Sequence, residues 1–231
     1  MPDQHDISDN PFWTALAGRH ARFAISHGRA ARFQPEVSPF AAVSDWTDER
    51  AWADLARLAG PGEQVVSAGV GLVLPEGWEM VWHADGVQMV DVAMDAAHDD
   101  EAVRLTAEDV PEMLDLVART EPGPFAARTI ELGTYLGIRR DGALVAMAGE
   151  RLRVPGLTEI SAVCTDPAHR GQGLGSRLVK AVAAGIRDRG ETPFLHAAAS
   201  NVNAIRLYES MGFKVRTAIT FAAVRTPATP A

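Results

Sequence analysis

The residues of this sequence best suited to chemistry form a glycine-rich loop at positions 170–176, Arg-Gly-Gln-Gly-Leu-Gly-Ser. Gly171, Gly173 and Gly175 have no side chains, so several backbone N–H groups can point into one concavity. A helical pattern begins at the loop, and a helix N-terminus adds unpaired N–H groups and the positive end of its dipole. Arg170 adds a full charge that can pair with a phosphate in a forked geometry. The loop therefore predicts an anion site, with a pyrophosphate as its natural guest.

Two common phosphate-binding loops do not fit this stretch. A P-loop carries lysine and then serine or threonine after its last glycine, whereas Ser176 and Arg177 follow Gly175 here. The dinucleotide-binding fingerprint spaces its glycines G-x-G-x-x-G, and this loop spaces them G-x-G-x-G behind an arginine. A plain glycine-rich turn that caps a helix is the simplest alternative, but it does not account for Arg170.

Arg170 to Gly175 resembles the R/Q-x-x-G-x-G/A signature of the GCN5-related N-acetyltransferases (GNAT), whose loop holds the pyrophosphate of acetyl-coenzyme A. Residues 200–213, SNVNAIRLYESMGF, are similar to the closing motif of that family: an asparagine, a short helix with a tyrosine, and Gly-Phe. The resemblance covers about residues 101–224, and the two-part layout of the chain is similar to FR47-like and glycine N-acyltransferase-like members. It implies an acyl-CoA-dependent N-acyltransferase with acetyl-CoA as the acyl donor.

The resemblance also assigns the residues that contact the cofactor. In that family the strand before the loop splays from the next strand, and pantetheine pairs with the exposed backbone like an added strand. A backbone N–H near Val163 would then polarise the thioester carbonyl. The cofactor-contacting residues that it implies are Val163, Cys164, Thr165, Arg170, Gly171, Gln172, Gly173, Leu174, Gly175, Ser176 and Asn201.

Direct transfer to an amine benefits from an acid for the leaving thiolate and a base for the amine. Tyr208 matches the tyrosine of the closing motif, whose hydroxyl reaches toward the coenzyme A sulfur in relatives, so the resemblance implies that it is the acid. His196 stands where some relatives carry a glutamate, and histidine titrates near neutrality. Glu159 and Glu150, on neighbouring strands, are the alternative bases. Cys164 follows a strand-face pattern and is expected to be a small buried residue, not a nucleophile.

The second half of the chain alternates helix and strand patterns in an order that can position these residues. Leu174, Leu178, Val182 and Ile186 recur every four residues, which predicts a helix behind the glycine loop. Further elements are predicted as helices over residues 106–119 and 203–210 and as strands over residues 134–139, 144–154, 158–165, 194–199 and 214–224. This order matches that of the resembling family and predicts an α/β (α+β) fold, with a mixed, mainly antiparallel sheet flanked by helices.

Residues 1–100 are predicted to form an N-terminal α+β domain, and residues 101–231 the acetyltransferase domain. The polar, acidic segment 95–101 is expected to link them. The elements expected in the first half are a helix at Pro11, a hairpin at His27-Gly28, a helix behind Thr47-Asp48-Glu49, strands at 64–66, 70–74, 79–83 and 87–93, and a hairpin turn at Asp85-Gly86. Their order suggests a degenerate copy of the second half. All five tryptophans lie here, and such a cluster is typical of a core.

Composition narrows the class of protein. Of the net charge of −8, residues 1–100 carry −10 and the remainder +2, so nucleic acid is not an expected partner. The single cysteine excludes a disulfide framework and a cysteine-cluster metal site. No apolar run approaches the length of a membrane span, and the polar N-terminus does not resemble a signal peptide. These features predict a cytoplasmic protein without a metal site. We expect it to be a monomer or a homodimer.

The leading functional hypothesis is an N-acetyltransferase that acts on a primary amine of a small molecule or an amino acid. One alternative is a catalytically inactive module that binds coenzyme A as a sensor or structural element. A second alternative is a peptide N-terminal acetyltransferase. The acceptor site is expected between the two halves, so that residues 1–100 determine specificity.

Overall fold

The computed structural model describes residues 9–228 of the chain. The α-helices in this range are α1 (Pro11–Leu16), α2 (Glu49–Ala59), α3 (Val110–Thr120), α4 (Leu174–Asp188) and α5 (Val202–Ser210). Three short strands, β1 (Ala24–His27), β2 (Ala30–Phe33) and β3 (Ala41–Val43), form an antiparallel sheet in that order. The predicted hairpin is confirmed, and Gly28 supplies its turn with a φ of 53°.

An eight-stranded sheet forms the frame of the molecule. Its strands lie in the spatial order β4 (Gln64–Gly69), β11 (Phe213–Arg225), β5 (Glu79–Asp91), β10 (Thr192–Ala198), β9 (Leu157–Thr165), β8 (Ala143–Val154), β7 (Tyr135–Arg140) and β6 (Val103–Arg104). Every neighbouring pair is antiparallel except β9 and β10, which are parallel. The predicted fold class, a mixed and mainly antiparallel sheet flanked by helices, is therefore confirmed.

Helix α4 covers one face of this sheet, as its four-residue spacing predicts. Leu174, Leu178, Val182 and Ile186 are all at most 2% exposed and pack with Leu195 of β10. The opposite face of β10 carries Phe194, which belongs to the core shared with α1, α2 and the small sheet. The alternation of side chains along β10 thus separates the two layers.

The parallel pairing of β9 and β10 is short. It joins Thr192 to Leu157, Pro193 to Thr158 and Phe194 to Glu159, and no pair follows. Beyond this point β9 continues beside β8, whereas β10 continues beside β5. The two strands therefore diverge toward their C-terminal ends and open a wedge-shaped gap in the middle of the sheet.

Strands from before residue 100 complete the same sheet. β5 lies between β10 and β11, and β4 pairs with the outer side of β11. The division of the chain into two domains at residue 100 stays a prediction. Backbone hydrogen bonds nevertheless join β5, from the first half, to β10 and β11, from the second half. The chain order alone did not indicate this pairing.

Two expectations for the first half are wrong. Asp85-Gly86 is not a hairpin turn, because β5 runs straight through it and pairs with Thr220 and Ile219. A Cβ on Gly86 would lie 2.5 Å from the Phe221 ring, so the glycine serves a close approach of neighbouring strands. Residues 70–74 form a turn and an irregular segment, not a strand.

In the range that the structure describes, no helix is both long enough and apolar enough to cross a membrane.

Candidate active site

The glycine-rich loop connects the end of β9 to the start of α4. Gly171 and Gly173 have φ values of 79° and 74°, in the left-handed region that glycine adopts without strain. A Cβ built on either residue would meet no atom within 4 Å, so the space above the loop is open. Within residues 9–228, the backbone N–H groups of residues 171–176 donate to no acceptor; the first that does is Arg177 N–H, to the Gly173 carbonyl at 3.0 Å. The loop thus presents a row of free donors.

Arg170 is the cation available to this loop. Its Nε donates to the Thr165 carbonyl at 3.3 Å, and no carboxylate in the described part of the chain pairs with it. The neighbouring Arg177 is different, because Asp99 lies 2.7 Å and Glu101 2.8 Å from its guanidinium. Those carboxylates raise the pKa of Arg177 and tie the acidic segment to α4. An anion at the loop would therefore meet the charge of Arg170.

Strand β9 contains a β-bulge beside the gap. Met147 pairs with Cys164 and Gly149 with Ser161, so two residues of β9, at positions 162 and 163, lie opposite one residue of β8. Ala162 has a φ of 53°, which is strained for a residue with a side chain. Strain of this kind concentrates at functional sites. The bulge reorients the backbone next to Val163, the residue whose N–H the family resemblance assigns to the thioester carbonyl.

A cavity of about 470 Å³ occupies the gap between the diverging strands. Helix α5 and both diverging strands contribute one part of its wall. These lining residues are Ile160, Ser161, Ala162, Val163, Leu195, His196, Ala197, Ala198, Asn201, Ala204 and Tyr208. The structure therefore brings Val163, His196, Asn201 and Tyr208 to one cavity. Cys164 and Thr165 do not line it.

Tyr208 lies on α5 with its ring against Phe213, at 6.0 Å between ring centroids. Burial raises the pKa of Tyr208 to about 12, so the phenol stays protonated at neutral pH. No residue between 9 and 228 forms a hydrogen bond with its hydroxyl. Asn201 caps the same helix, because its Oδ1 accepts from Ala204 N–H at 3.1 Å. Tyr208 thus offers a free donor to the cavity from a fixed helix.

Glu159 and His196 form a buried polar pair at the narrow end of the gap. The His196 Nδ1 and Glu159 Oε1 atoms lie 2.7 Å apart, and their side chains are 1% and 0% exposed. Arg151 donates to both oxygens of Glu159, at 2.8 and 2.5 Å. Although burial alone would raise it, the pKa of Glu159 falls to about 2 because of Arg151 and His196. Glu159 is therefore a permanently ionised partner.

The remaining ring nitrogen of His196 is also occupied. Its Nε2 lies 3.1 Å from Nε2 of Gln88, whose Oε1 accepts from Arg216. Gln88 must therefore donate to the imidazole. Neither Glu159 nor His196 presents a free lone pair to the cavity, so these contacts favour a positioning role for both, and their assignment as bases stays a prediction.

The other two candidates lie outside the cavity. Glu150 is 2% exposed and accepts from Arg189 at 3.0 Å, and it lines no part of the gap. Cys164 is 7% exposed and packs with α3 residues such as Met113 and Leu116. Burial raises the pKa of its thiol, as expected for a small core residue.

Several lining residues were not anticipated. Trp82 was assigned to a core cluster, yet it is 53% exposed and lines the cavity. Phe40, Val66 and Phe221 line it as well. Glu121 follows α3 with a left-handed φ of 48° and lines the cavity, and no sequence pattern singled it out. A charged residue directly before a proline at the end of a helical pattern is the sequence signal that could have marked it.

Comparisons with known proteins agree with this geometry. A family model described as FR47-like protein matches residues 135–222. N-alpha-acetyltransferase RimI of Mycobacterium tuberculosis is 35% identical over 121 residues, which cover 48% of this chain and 75% of that protein. The crystal structure of a putative GNAT-family acetyltransferase from Novosphingobium aromaticivorans is 40% identical, with a TM-score of 0.86 over 96% of this chain and 99% of that one. A GCN5-related N-acetyltransferase from Kribbella flavida, 15% identical with a TM-score of 0.64 over 94% and 95% of the two chains, shares the fold.

Proposed function

Because this chain belongs to the GNAT family of acetyltransferases, we propose that it transfers an acetyl group from acetyl-coenzyme A directly to a primary amine of a small molecule or an amino acid. The observation that carries this proposal is a pair of adjacent features along β9. Free donors of the glycine loop lie at the end of β9, and the cavity between β9 and β10 contains Val163 and Tyr208. A phosphate-bearing thioester needs both parts.

The residues present fit coenzyme A. The free N–H groups of residues 171–176, the N-terminus of α4 and Arg170 suit a pyrophosphate. The gap beyond the pair Phe194 and Glu159 leaves backbone that an extended pantetheine arm can accompany as an added strand. The bulge at Ala162 supports the proposal that Val163 N–H donates to the thioester carbonyl, where negative charge develops.

The chemistry then depends mainly on placement. The thioester is already activated, so holding the amine beside it supplies most of the rate. The N–C bond forms as the C–S bond breaks, one proton leaves the amine and one proton reaches the sulfur. Tyr208, protonated at neutral pH, supplies the latter and recovers it from solvent.

The amine must be neutral when it attacks, since an α-amino group has a pKa near 8 and a lysine amine one near 10.4. The side chains of Glu159 and His196 are both buried. The two ring nitrogens of His196 and the carboxylate of Glu159 already have hydrogen-bond partners. We therefore propose that the amine proton passes to water beside the exposed carboxylate of Glu121, which lines the cavity. In this scheme, Glu159 and His196 hold the diverging strands in place.

Residues from the first half support a small acceptor. Phe40, Val66 and Trp82 line the cavity, whose volume is about 470 Å³. The similarity to RimI, named as an N-alpha-acetyltransferase, favours a peptide N-terminus as the second candidate.

One experiment separates these candidates. The purified protein is incubated with acetyl-CoA and either pooled small primary amines, amino acids or short peptides, and free thiol and acetylated products are measured. Thiol release that depends on a small amine, with the acetylated amine as product, supports the proposal. Release with peptides alone would favour the N-terminal acetyltransferase, and coenzyme A binding without any acetylated product would indicate an inactive binding module.

A further inference from the structure

Part of the cavity wall is apolar and partly aromatic. Phe40, Val66, Trp82 and Phe221 form this apolar patch, and none of them belongs to β9, β10 or α5. Trp82 is the most exposed of the four, at 53%. It lies on the part of β5 that precedes Gly86 in the sequence, where β10 no longer pairs with that strand. A half-exposed tryptophan on a cavity wall is suited to cover an apolar group of a bound molecule.

The charges that line the cavity are unequal. Arg151 is the cationic lining residue, but Glu159 binds it through two hydrogen bonds, and its guanidinium lies 5.3 Å from the centre of the Phe40 ring. Its charge is therefore already compensated. Glu121 also lines the cavity, and no cation pairs with it within residues 9–228. The wall as a whole presents one uncompensated negative charge.

These two features select among amines. A protonated amine approaching the cavity is attracted by Glu121, and an apolar substituent can pack on Trp82 and its neighbours. A carboxylate on the carbon that bears the amino group would be repelled by Glu121 and would find no free cation. The cavity therefore disfavours binding of a zwitterionic amino acid and favours the corresponding amine that lacks the α-carboxylate.

We infer that the acceptor is a small apolar amine, best an arylalkylamine, whose amino group is its only charged group. The inference rests on the proposed acetyl transfer and specifies the substrate class of the same cavity. Glu121 and Trp82 determine this specificity, Glu121 through its charge and Trp82 through its exposed indole face.

A matched pair of probes tests the inference. 2-Phenylethylamine and L-phenylalanine differ by the α-carboxylate, and an alanyl tripeptide amide represents peptides. We expect kcat/KM for 2-phenylethylamine to exceed that for each of the others by roughly tenfold or more. An equal or higher kcat/KM for phenylalanine or the peptide would overturn the inference while leaving acetyl transfer in place.

Variants of the two residues test how the preference arises. Trp82→Ala should raise KM for 2-phenylethylamine roughly tenfold, whereas Val81→Ala, an exposed neighbour that does not line the cavity, should not change it. Glu121→Lys should reduce the ratio of kcat/KM for 2-phenylethylamine to kcat/KM for phenylalanine. Glu76→Lys, at an exposed position that does not line the cavity, should leave this ratio unchanged.

Three further results are decisive. If Trp82→Ala and Glu121→Lys behave like the unmodified protein, the assigned specificity is wrong. If 2-phenylethylamine is not acetylated although the pooled-amine assay yields another acetylated amine, the inference fails and acetyl transfer stands. If no amine in that assay is acetylated although calorimetry detects coenzyme A binding, the proposed function fails, and the inference fails with it.

Discussion

His196 Nδ1 lies 2.7 Å from Oε1 of Glu159, and this hydrogen bond joins β10 to β9 beside Phe194 and Glu159, the last backbone pair between those strands. Beyond it the strands separate. Arg151 holds the other side of the Glu159 carboxylate from β8. Three buried side chains on three adjacent strands therefore fix the point at which the gap opens, and the width of the cavity depends on them.

Removing the carboxylate from this group should destabilise the protein strongly. Glu159→Ala leaves Arg151 buried without a counter-charge, and the loss of one partner of a buried ion pair costs about 3–5 kcal/mol of unfolding free energy. Urea denaturation measures the effect. The control is Glu131→Ala, which removes an exposed carboxylate bonded to Arg128 and should cost much less. Equal losses for the two variants would contradict the role given to Glu159.

The stability of the protein should decrease as the pH is lowered, because of His20. This histidine is 3% exposed, and its Nε2 accepts from Arg153 N–H at 3.1 Å. Burial, aided by the charge of Arg153, lowers the pKa of His20 from 6.5 to about 4. Below pH 6.5 the unfolded chain therefore binds a proton that the folded protein excludes. The stability present above pH 6.5 is lost progressively toward pH 4, by about 3 kcal/mol in total.

The His20 effect can be isolated by substitution. His20→Gln cannot titrate, so unfolding free energies measured in urea between pH 6.5 and pH 4 should change less with pH than in the unmodified protein. His83→Gln, at an exposed position, should keep the original dependence. An unchanged slope in His20→Gln would assign the acid sensitivity to other groups.

Tyr208→Phe should separate binding from turnover. The substitution removes a hydroxyl with no hydrogen-bond partner in residues 9–228 and retains the ring that packs on Phe213. Coenzyme A affinity should therefore persist, while kcat falls by roughly tenfold to a thousandfold with a good acceptor. Steady-state thiol release together with calorimetry checks both. Full turnover in the variant would mean that solvent protonates the leaving thiolate.

The pH dependence of the reaction should identify the group that assists the amine. His196→Gln removes a ring whose nitrogens are both hydrogen-bonded, so the acidic limb of the kcat/KM profile should stay at the same pH. Glu121→Gln removes the exposed carboxylate of the cavity and should change that limb. If the limb moves in His196→Gln instead, the imidazole is the base despite its enclosure.

Sequence patterns located the parts of the molecule whose chemistry is local. The spacing of Leu174 and Leu178 predicted α4, and the glycines of the loop predicted a row of available backbone N–H groups. The burial of Cys164 also followed from its place on a strand face. These features depend on neighbouring residues along the chain, which is why periodicity and turn chemistry reveal them.

Features that depend on distant pairing were not visible. Asp85-Gly86 has the composition of a hairpin turn, yet β11 and β10 hold it extended as part of β5. Trp82 looked like a core residue because nothing in the sequence indicates that β10 ends beside Gly86. The ionised state of Glu159 likewise follows from Arg151 on another strand. Tertiary contacts override local preference at each of these positions.

The central claim, that coenzyme A binds at the loop after β9, is tested most directly by calorimetric titration of coenzyme A into two matched variants. Gly173 and Gly190 lie at opposite ends of α4 with φ values of 74° and 73°, and a Cβ on either meets nothing within 4 Å. Glutamate strains the backbone equally at both positions, but at Gly173 it also places a carboxylate beside the pyrophosphate. We expect Gly173→Glu to abolish detectable binding and Gly190→Glu to retain it; unchanged binding in Gly173→Glu would contradict the account.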